Sequence, residues 1–510
     1  MFNDNFVSQL NLWSQKTEVS SLKLNRGIER EMLRVSANGS ISQKSHPSSL
    51  GSPLTNPYIT TDFAEALIEL VTPKFPSVDS LYQCLHELHV FTSKNIDQDE
   101  LLWAYSMPCK INSEDEINIA NYGQNDSGML KHIYRKGLKV RYGSIMQCVS
   151  GIHYNFSINP ESYGAILGEN FCQDNVNELY LGLIRNFKRN FWFILSQFGA
   201  SSVIDKSFVL NREHNLDQLN DDDLFLENAT SLRMSNIGYQ SPIQSSLDIR
   251  YNSLNDFIES VKIGIKNAHP DFSELGLFDS NNNRQQISDG IIQIENELYD
   301  TIRPKRSSTD GLRPAVALKE NGIEYVEVRG VDINPNELCG ISKDQMYLLD
   351  LFLLHCAINE SPEICPEESI KLQKNHADMV ANGQNHSTII SYKGKDITCD
   401  DALSNLVNEL NILANELDKE GDNYSGALSR IIKGESQSAV ILKSLGDSLS
   451  FSEMALTKSM QNTNDLRQNN TLDLGYLNSE SIKSIKEFEN IENNSTKDIE
   501  AYVKKYNAQI

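Results

Sequence analysis

Hydrophobic and polar residues alternate along some segments of this chain and follow helical spacing along others. Residues 27–36 alternate in the manner of a β-strand, whereas residues 1–25 and 77–98 repeat their apolar positions at helical spacing. Between the first strand and the second helix, residues 38–57 are rich in glycine, serine and proline. The pattern therefore predicts an N-terminal helix, a strand, a long connection and a second helix.

Residues 58–73 fit two structures. Asp62, Glu65 and Glu69 would share one face of a helix, but the β-branched start and the Leu-Val-Thr-Pro ending are typical of strands. We predict strands for this segment.

The rest of the chain alternates between helical and extended segments. The pattern predicts a loop with a short helix at residues 122–142 and a strand at 147–157 that places His153 and Asn155 on one face. It predicts mostly helix at 160–275, around an acidic surface loop at 217–227, and strands at 288–299 and 322–332. From residue 342 onward it predicts helix, which ends in a polar tail of about fifty residues. Interspersed helices and antiparallel strands predict an α+β fold with helical insertions.

Composition limits the classes of partner. The formal net charge of −23 disfavours broad attraction to nucleic acid or to an anionic membrane. The N-terminus lacks the basic and apolar regions of a secretory signal, and the longest apolar run, residues 347–358, contains Asp350 and His355. We expect this run to be a buried helix. The eight cysteines lack a CxxC pair, which favours reduced thiols and a cytoplasmic protein.

Acidic residues recur within the predicted strands. Glu29 and Glu31 are two residues apart in one strand, so they point the same way with Cα atoms roughly 6.5–7 Å apart. Glu324 and Glu327 lie in another strand. Clustered carboxylates repel one another unless a cation balances them, and hard cations prefer oxygen ligands. The pattern predicts a site for Mg2+ or Mn2+.

Absent motifs narrow the chemistry further. The chain contains no phosphate-binding P-loop, no Rossmann glycine motif, no serine-hydrolase elbow and no HExxH zinc motif. Arginines that match phosphate or carboxylate oxygens remain at Arg135, Arg141, Arg233, Arg303, Arg306 and Arg329. A carboxylate–metal site with such arginines can handle ATP without a P-loop.

Each of these residues also has an ordinary structural interpretation. Glu29 and Glu31 in isolation fit an exposed strand edge with salt bridges, and His153 fits a hydrogen-bonded core histidine. Tyr134, Tyr239 and Tyr299 fit packing residues with solvated hydroxyls. The individual patterns leave both interpretations open.

Six ordered blocks carry a resemblance to a known family. They are residues 26–35 (RGIEREMLRV), 59–69 (ITTDFAEALIE), 150–157 (SGIHYNFS), 229–239 (ATSLRMSNIGY), 293–306 (QIENELY through RPKR) and 322–335 (GIEYVEVR with DINP). The chain closely resembles the glutamate–cysteine ligases of gamma-proteobacterial type. The resemblance runs across residues 20–340 and is weaker over residues 365–510.

The resemblance implies an enzyme that joins the γ-carboxylate of glutamate to the amino group of cysteine with ATP, the first step of glutathione synthesis. It also implies a core similar to that of glutamine synthetase, with a curved antiparallel sheet around the active site. On this basis we expect a catalytic core at residues 1–340, with a helical insertion at about 160–285. Residues 341–510 would form a helical C-terminal region packed on that core.

The resemblance further implies roles for individual residues. The expected metal ligands are Glu29, Glu31, Asp62, Glu69, His153 and Glu327. Arg329 would balance charge on the transferred phosphoryl group, with Arg135 as a second candidate for this catalytic role. Arg233 would bind glutamate; Tyr134, Gln147, Tyr239 and Tyr299 would surround cysteine; and Lys305 and Arg306 would contact nucleotide. Glu65 and Glu324 are acidic neighbours outside the metal shell.

Two other functions compete with this one. The first is a related carboxylate–amine ligase that activates glutamate similarly but accepts a different amine. The second is a non-catalytic acidic protein that binds divalent cations. In the favoured interpretation the partners are L-glutamate, L-cysteine and ATP, with neither nucleic acid nor membrane, and the protein is a monomer.

Overall fold

The computed structural model describes residues 2–210, 212–241, 243–307, 311–445 and 450–510. Its strands are β1 (Leu24–Ser36), β2 (Ile59–Thr61), β3 (Leu67–Val71), β4 (Glu100–Leu102), β5 (Ile152–Ile158), β6 (Val203–Asp205), β7 (Asp217–Gln218), β8 (Asp223–Phe225), β9 (Ile302–Lys305), β10 (Tyr325–Val331), β11 (Ile389–Tyr392) and β12 (Lys395–Thr398). Its helices are α1 (Phe2–Ser14), α2 (Val78–Asn95), α3 (Asp126–Tyr142), α4 (Tyr163–Leu167), α5 (Gln173–Phe198), α6 (Leu254–Lys266), α7 (Pro270–Leu275), α8 (Pro314–Asn321), α9 (Lys343–Ile358), α10 (Pro366–Asn382), α11 (Cys399–Leu417), α12 (Tyr424–Lys433), α13 (Gln437–Leu445), α14 (Phe451–Gln468), α15 (Gly475–Asn494) and α16 (Ile499–Asn507).

A seven-stranded antiparallel sheet organises the fold. Six strands follow the order β2-β3-β1-β5-β10-β9, and β4 pairs with the end of β1. Strand β1 is long enough, at 13 residues, to pair with β3, β4 and β5. Together with the many helices, this sheet confirms the predicted α+β fold.

The two faces of the sheet differ in chemistry because side chains alternate along each strand. Ile28, Tyr154, Val326 and Ile302 are fully buried on one face, within a large apolar cluster. Helix α5 packs against β9 and β10 on this side and also contacts α9. Covering one face with helices leaves the opposite face available for polar side chains.

Helix α9 confirms the prediction of a buried helix for the apolar run at residues 347–358. Its charged residue, Asp350, is fully buried and forms an ion pair with Arg26 of β1. The Tyr154 hydroxyl of β5 donates a hydrogen bond of 2.8 Å to the same carboxylate. This buried pair links the central strands of the sheet to the helix that covers them.

Several predicted boundaries were wrong. Helix α1 ends at Ser14 rather than near residue 25, because residues 24–26 pair with β5 instead. The segment 122–142 contains a long helix, α3, whose N-terminus is capped by the Asn125 side chain. Strand β5 begins only at Ile152, since residues 145–148 form a 3-10 turn.

The predicted strand at residues 288–299 is also wrong. This segment is irregular, with a 3-10 turn at Glu295–Glu297. Side chains replace the hydrogen bonds of a strand ladder: Glu297 accepts from the backbone N–H of Gln293, and Gln244 accepts from that of Tyr299. Local side-chain acceptors of this kind compete with sheet pairing.

Two further predictions need correction. The segment 217–227, predicted as an acidic surface loop, contains β7 and β8 of a small three-stranded sheet. Asp223 within it is fully buried, and hydrogen bonds that its carboxylate accepts from Phe451 and Asn220 offset the cost of that burial. The C-terminal region is mostly helical, as predicted, but the hairpin β11–β12 interrupts it. Lys393 and Gly394 both adopt positive φ in its turn, which suits a two-residue hairpin.

Among the described residues, no helix combines the length and the apolar character that crossing a bilayer requires. All eight cysteines lie in the described part of the chain and are free thiols.

Candidate active site

The face of the large sheet opposite α5 carries a group of charged side chains, many of which are buried. Residues that pair directly in antiparallel strands share a face, so the register decides which side chains meet. The register pairs Glu29 with His153, Glu31 with Glu69, Glu327 with Asn155 and with Arg303, and Lys305 with Tyr325. Five strands thus bring their charged residues to one surface.

Glu29, His153 and Glu327 form the tightest cluster on this surface. One ligand atom from each lies within 4.8 Å of the others, which is the spacing that a shared cation needs. His153 Nδ1 lies 3.3 Å from Glu29 Oε2, and Asn155 donates a 3.0 Å hydrogen bond to the other Glu29 oxygen. Three of the six expected metal ligands therefore meet at one point.

Unpaired polar atoms in this cluster fit a bound cation. His153 Nε2 and Asn155 Oδ1 are buried and have no hydrogen-bond partner, and Glu327 Oε2 makes an ion pair with Arg329 but no hydrogen bond. Buried polar atoms are rarely left unpaired, because desolvation without a replacement bond is costly. The carboxylate oxygens and the imidazole nitrogen are ligand types that Mg2+ or Mn2+ accepts, so the residues present fit a divalent cation.

The other three expected ligands form a second acidic group beside the first. Glu31 and Glu69 face each other across β1 and β3, and Glu31 Oε1 lies 3.5 Å from His153 Nε2. Burial raises the pKa of Glu69 well above its usual range, and the charges of Glu29, Asp62 and Glu31 add to the shift. Burial also raises the pKa of Glu31. Their assignment as metal ligands stays a prediction.

Two basic side chains balance Glu327. Lys305 Nζ lies 3.1 Å from Glu327 Oε1, and Arg329 Nη1 lies 3.1 Å from Glu327 Oε2. Burial opposes ionisation of Glu327, but the charges of Lys305 and Arg329 prevail and hold its pKa well below the usual range. Likewise, burial and the charge of Glu327 are outweighed at Glu29, whose pKa is lowered by the hydrogen bond with His153 and the charge of Lys305. Both carboxylates are therefore ionised and ready to bind a cation.

Arg233 lies behind this charged surface. It is almost completely buried; its Nη2 donates to the Arg329 carbonyl at 2.9 Å, and its Nη1 lies 3.4 Å from Asp332. Its Nε has no partner. The ring of Tyr239 lies 5.6 Å from the Arg233 guanidinium and 5.4 Å from that of Arg329, and its hydroxyl accepts a 2.7 Å hydrogen bond from Arg329. Two arginines and one tyrosine therefore form a single cationic unit.

Gly151 provides the space that Arg233 occupies. A Cβ at position 151 would lie 2.5 Å from Arg233 Cζ, so a side chain there would displace the guanidinium. We expect Gly151→Ala to raise the KM for glutamate about tenfold, because Arg233 would lose its position. Steady-state kinetics with varied glutamate would measure this. Gly164→Ala is the matched control, since a Cβ there meets nothing closer than 3.6 Å; equal kinetics for both variants would contradict the prediction.

The expected cysteine-pocket residues lie next to this unit. The rings of Tyr239 and Tyr299 are 4.7 Å apart in an edge-to-face arrangement, and Gln147 Nε2 donates a 3.0 Å hydrogen bond to the Tyr299 hydroxyl. Tyr134 belongs to α3, and burial raises its pKa well above the usual range. Burial raises the pKa of Tyr299 in the same way, so these two hydroxyls stay protonated. Their neutral, aromatic surface suits an uncharged thiol side chain.

Arg135 makes contacts within the protein. Its Nε donates to the Asp62 carbonyl, its Nη1 donates to the Lys131 carbonyl at 3.0 Å, and its Cζ lies 4.6 Å from the centre of the Tyr122 ring. Its Nη2 lies 3.8 Å from Asp62 Oδ1. Arg135 therefore holds the turn that presents Asp62, and its catalytic role stays a prediction.

The sequence placed Arg303 only among the arginines that match phosphate or carboxylate oxygens, and Asn155 only on one strand face with His153. The structure places both on the charged surface. Arg303 is 6% exposed and pairs in register with Glu327, and its Nε has no hydrogen-bond partner. The alternation of Arg303 and Lys305 along a strand was the available signal, because residues two apart share a face. Arg306 lies one residue beyond β9, where strand alternation no longer applies, and its nucleotide contact stays a prediction. Glu65 accepts hydrogen bonds from the backbone N–H groups of His46 and Asn121, and Glu324 accepts one from the backbone N–H of Ser307.

Comparison with known proteins finds one family that matches most of this chain. The sequence profile of the family described as "Glutamate-cysteine ligase" matches residues 10–379. A "Glutamate--cysteine ligase" of Hahella chejuensis is 41% identical over 413 residues, which cover 79% of this chain and 78% of that protein. One of Janthinobacterium sp. is 37% identical over 496 residues, which cover 94% of both chains.

Solved structures support the same assignment. The crystal structure of glutamate–cysteine ligase from Francisella tularensis in complex with AMP matches with a TM-score of 0.90 and 32% identity, and the match covers 96% of this chain and 98% of that one. A bifunctional glutathione synthetase from Pasteurella multocida matches with a TM-score of 0.70 at 20% identity, covering 94% of this chain and 58% of that one, which supports the fold alone. The matched residues include every block on which the sequence resemblance rests. The chain belongs to the glutamate–cysteine ligase family.

Proposed function

We propose that this protein joins the γ-carboxylate of L-glutamate to the amino group of L-cysteine with ATP, through a γ-glutamyl phosphate, in the first step of glutathione biosynthesis. The observation that carries this proposal is the cluster of Glu29, His153 and Glu327 beside Lys305 and Arg329. It combines carboxylate oxygens, an imidazole nitrogen and two basic side chains within a chain of net charge −23. Such a set holds polyphosphate where the overall field repels it.

The six expected ligands would hold Mg2+ or Mn2+. When bound, the cation screens the negative charges of the ATP phosphates, which lets an anionic nucleophile approach. Lys305, at the end of the edge strand β9, and Arg306, directly after it, contact the nucleotide. Arg329 donates to the oxygens of the transferred phosphoryl group, and Arg135 supports the same surface from α3.

Arg233 orients glutamate. Its buried guanidinium has a free Nε and matches a carboxylate with two parallel hydrogen bonds. Held in this way, glutamate directs its γ-carboxylate oxygen at the γ-phosphorus of ATP. A new phosphorus–oxygen bond forms, the bond to ADP breaks, and γ-glutamyl phosphate results.

Cysteine then enters the pocket of Tyr134, Gln147, Tyr239 and Tyr299. Its amine attacks the γ-carbonyl carbon, and Arg329 stabilises the oxyanion of the tetrahedral intermediate. The carbon–oxygen bond to phosphate breaks, and the departing phosphate takes the proton from the nitrogen. The products are γ-glutamylcysteine, ADP and phosphate.

The organisation of the chain follows from this site. We assign the catalytic core to residues 1–340, with a helical insertion at about 160–285, and a packed helical region to residues 341–510. The acidic net charge and the eight free thiols support a cytoplasmic monomer that acts on small molecules, without nucleic acid or membrane partners.

Measuring ADP release by the purified protein with ATP, Mg2+ and glutamate, in the presence and absence of cysteine, tests the proposal. We expect ADP release that requires both glutamate and cysteine, with one γ-glutamylcysteine detected by mass spectrometry per ADP. Turnover with glutamate and a different amine would contradict the assigned cysteine pocket and favour a related carboxylate–amine ligase. Cation binding without any ADP release would contradict the catalytic function.

A further inference from the structure

The last two helices of the chain pack on α3, the helix that carries Tyr134 and Arg135. We call residues 488–507 the C-terminal hook; it comprises the end of α15, the turn after it and α16. The hook lies beyond residue 379, where the match to the family profile ends. Its sequence is polar and carries no residue of the proposed chemistry, so its contacts with α3 need another explanation.

Glu492 of the hook binds the start of α3. Its Oε1 accepts hydrogen bonds from the backbone N–H groups of Gln124 and Asn125 and, at 2.8 Å, from the Asn125 side chain. Asn125 is the N-cap of α3, and its own Oδ1 accepts from the N–H of Gly128 at 2.9 Å. Glu492 therefore orients the capping side chain and places negative charge at the positive end of the helix dipole.

The turn before α3 is shaped to receive Glu492 and Phe488. Gly123 has a φ of +91°, and a Cβ there would lie 2.6 Å from the Phe488 ring. Only glycine fits this combination of backbone conformation and close approach. Partial burial opposes ionisation of Glu492, but the hydrogen bonds from Asn125 and Gln124 prevail and lower its pKa.

Asp126, the first residue of α3, is held by the turn of the hook. Its carboxylate accepts hydrogen bonds from Ser495 at 2.9 Å and from Thr496 at 2.7 Å, while its N–H donates to Ser495 at 3.0 Å. The hook therefore satisfies polar groups on both sides of the N-cap.

Helix α16 supports the other side of α3. Val503 is buried in a cluster with Ile133, Ile287 and Ile294, and Tyr134 packs against the same cluster. Arg284 forms an ion pair with Glu500 that ties the segment before Tyr299 to the hook. The hook thus contacts two of the three chain segments that supply tyrosines to the expected cysteine pocket, those of Tyr134 and Tyr299.

We propose that the C-terminal hook sets the position of α3, and that Glu492 is a positioning residue which places Tyr134 for the reaction with cysteine. This inference rests on the proposed function. Arg233 and the clustered carboxylates belong to the sheet and to other loops, so the hook acts on the cysteine side of the site and leaves glutamate binding unchanged.

Three variants test the hook. Glu492→Ala removes every hydrogen bond to Oε1, Glu492→Gln retains an acceptor oxygen, and Glu489→Ala removes an exposed carboxylate from the same helix. We expect Glu492→Ala to raise the KM for cysteine about fivefold, the factor expected for the loss of a helix cap, with the KM for glutamate within twofold of the unaltered protein. In Glu492→Gln the KM for cysteine should rise much less than in Glu492→Ala, and Glu489→Ala should leave both KM values unchanged.

Hydrogen exchange gives a readout that is independent of activity. We expect backbone amides of residues 124–135 to exchange severalfold faster in Glu492→Ala than in Glu489→Ala, because the N-terminal turn of α3 opens more often. A cysteine KM that is equal in these two variants, or equal losses in Glu492→Ala and Glu492→Gln, would overturn the positioning role. If the unaltered protein forms no γ-glutamylcysteine, the proposed function fails, whereas unchanged exchange in Glu492→Ala shows separately that the hook does not hold α3.

Discussion

Glu327→Gln is expected to lower kcat about a thousandfold while the protein stays folded. Glu327 is fully buried in the cation cluster and is the shared partner of Lys305 and Arg329. A neutral amide would weaken the cation site and leave the two basic side chains without their anion. Losing the ion pairs with Lys305 and Arg329 should lower the free energy of unfolding, and removing the repulsion between Glu327 and Glu29 should offset part of that loss.

Coupled ADP release and thermal unfolding would measure the two effects separately. Glu324→Gln is the matched control, because Glu324 lies three residues earlier, outside the cluster, and accepts a hydrogen bond from Ser307. We expect this control to keep its turnover. A Glu327→Gln variant with more than about a tenth of normal activity would contradict the assignment of Glu327 as a cation ligand.

Arg233→Lys is expected to raise the KM for glutamate about a hundredfold, with the KM for ATP changed less than about threefold. Lysine keeps the positive charge but lacks the planar fork that would bind a carboxylate with two hydrogen bonds. It would also lose the 2.9 Å bond to the Arg329 carbonyl, so part of the effect would appear in kcat.

Arg212→Lys is the control for this substitution. Arg212 donates a hydrogen bond to the Ile237 carbonyl, in the same loop region but outside the charged surface. Initial rates with glutamate and ATP varied independently would decide the result. An unchanged glutamate KM in Arg233→Lys would assign glutamate recognition to another residue, for which Arg303 on the charged surface is a candidate.

Strand alternation explains why much of the site was predictable. In β5 and β10 the apolar residues at alternate positions face the helices, as Ile28 does in β1, so the residues between them face the opposite side. Glu29 and His153 were therefore predictable as members of one surface before their distance was known. The helix at 347–358 was equally predictable, since a continuous apolar run of that length has to be buried.

The local sequence pattern gave wrong predictions where side chains accept the hydrogen bonds of the backbone. Residues 288–299 look extended, yet Glu297 and Gln244 accept the N–H bonds that a neighbouring strand would take. The short helix expected within residues 122–142 is a long one, α3, because Asn125 caps its start and Glu492 holds that cap from the far end of the chain. These partners are distant in sequence, so no local window contains them.

The sequence by itself determined the α+β composition, the alternation that puts carboxylates on one sheet face, and the family to which the chain belongs. Only the tertiary structure decided that Glu29, His153 and Glu327 meet within one cation's reach, that Arg303 joins them, and that the polar C-terminus holds α3. The physical reason is that periodicity determines the direction of each side chain along its own strand or helix. Strand register and helix packing, which depend on partners far along the chain, determine the distances between them.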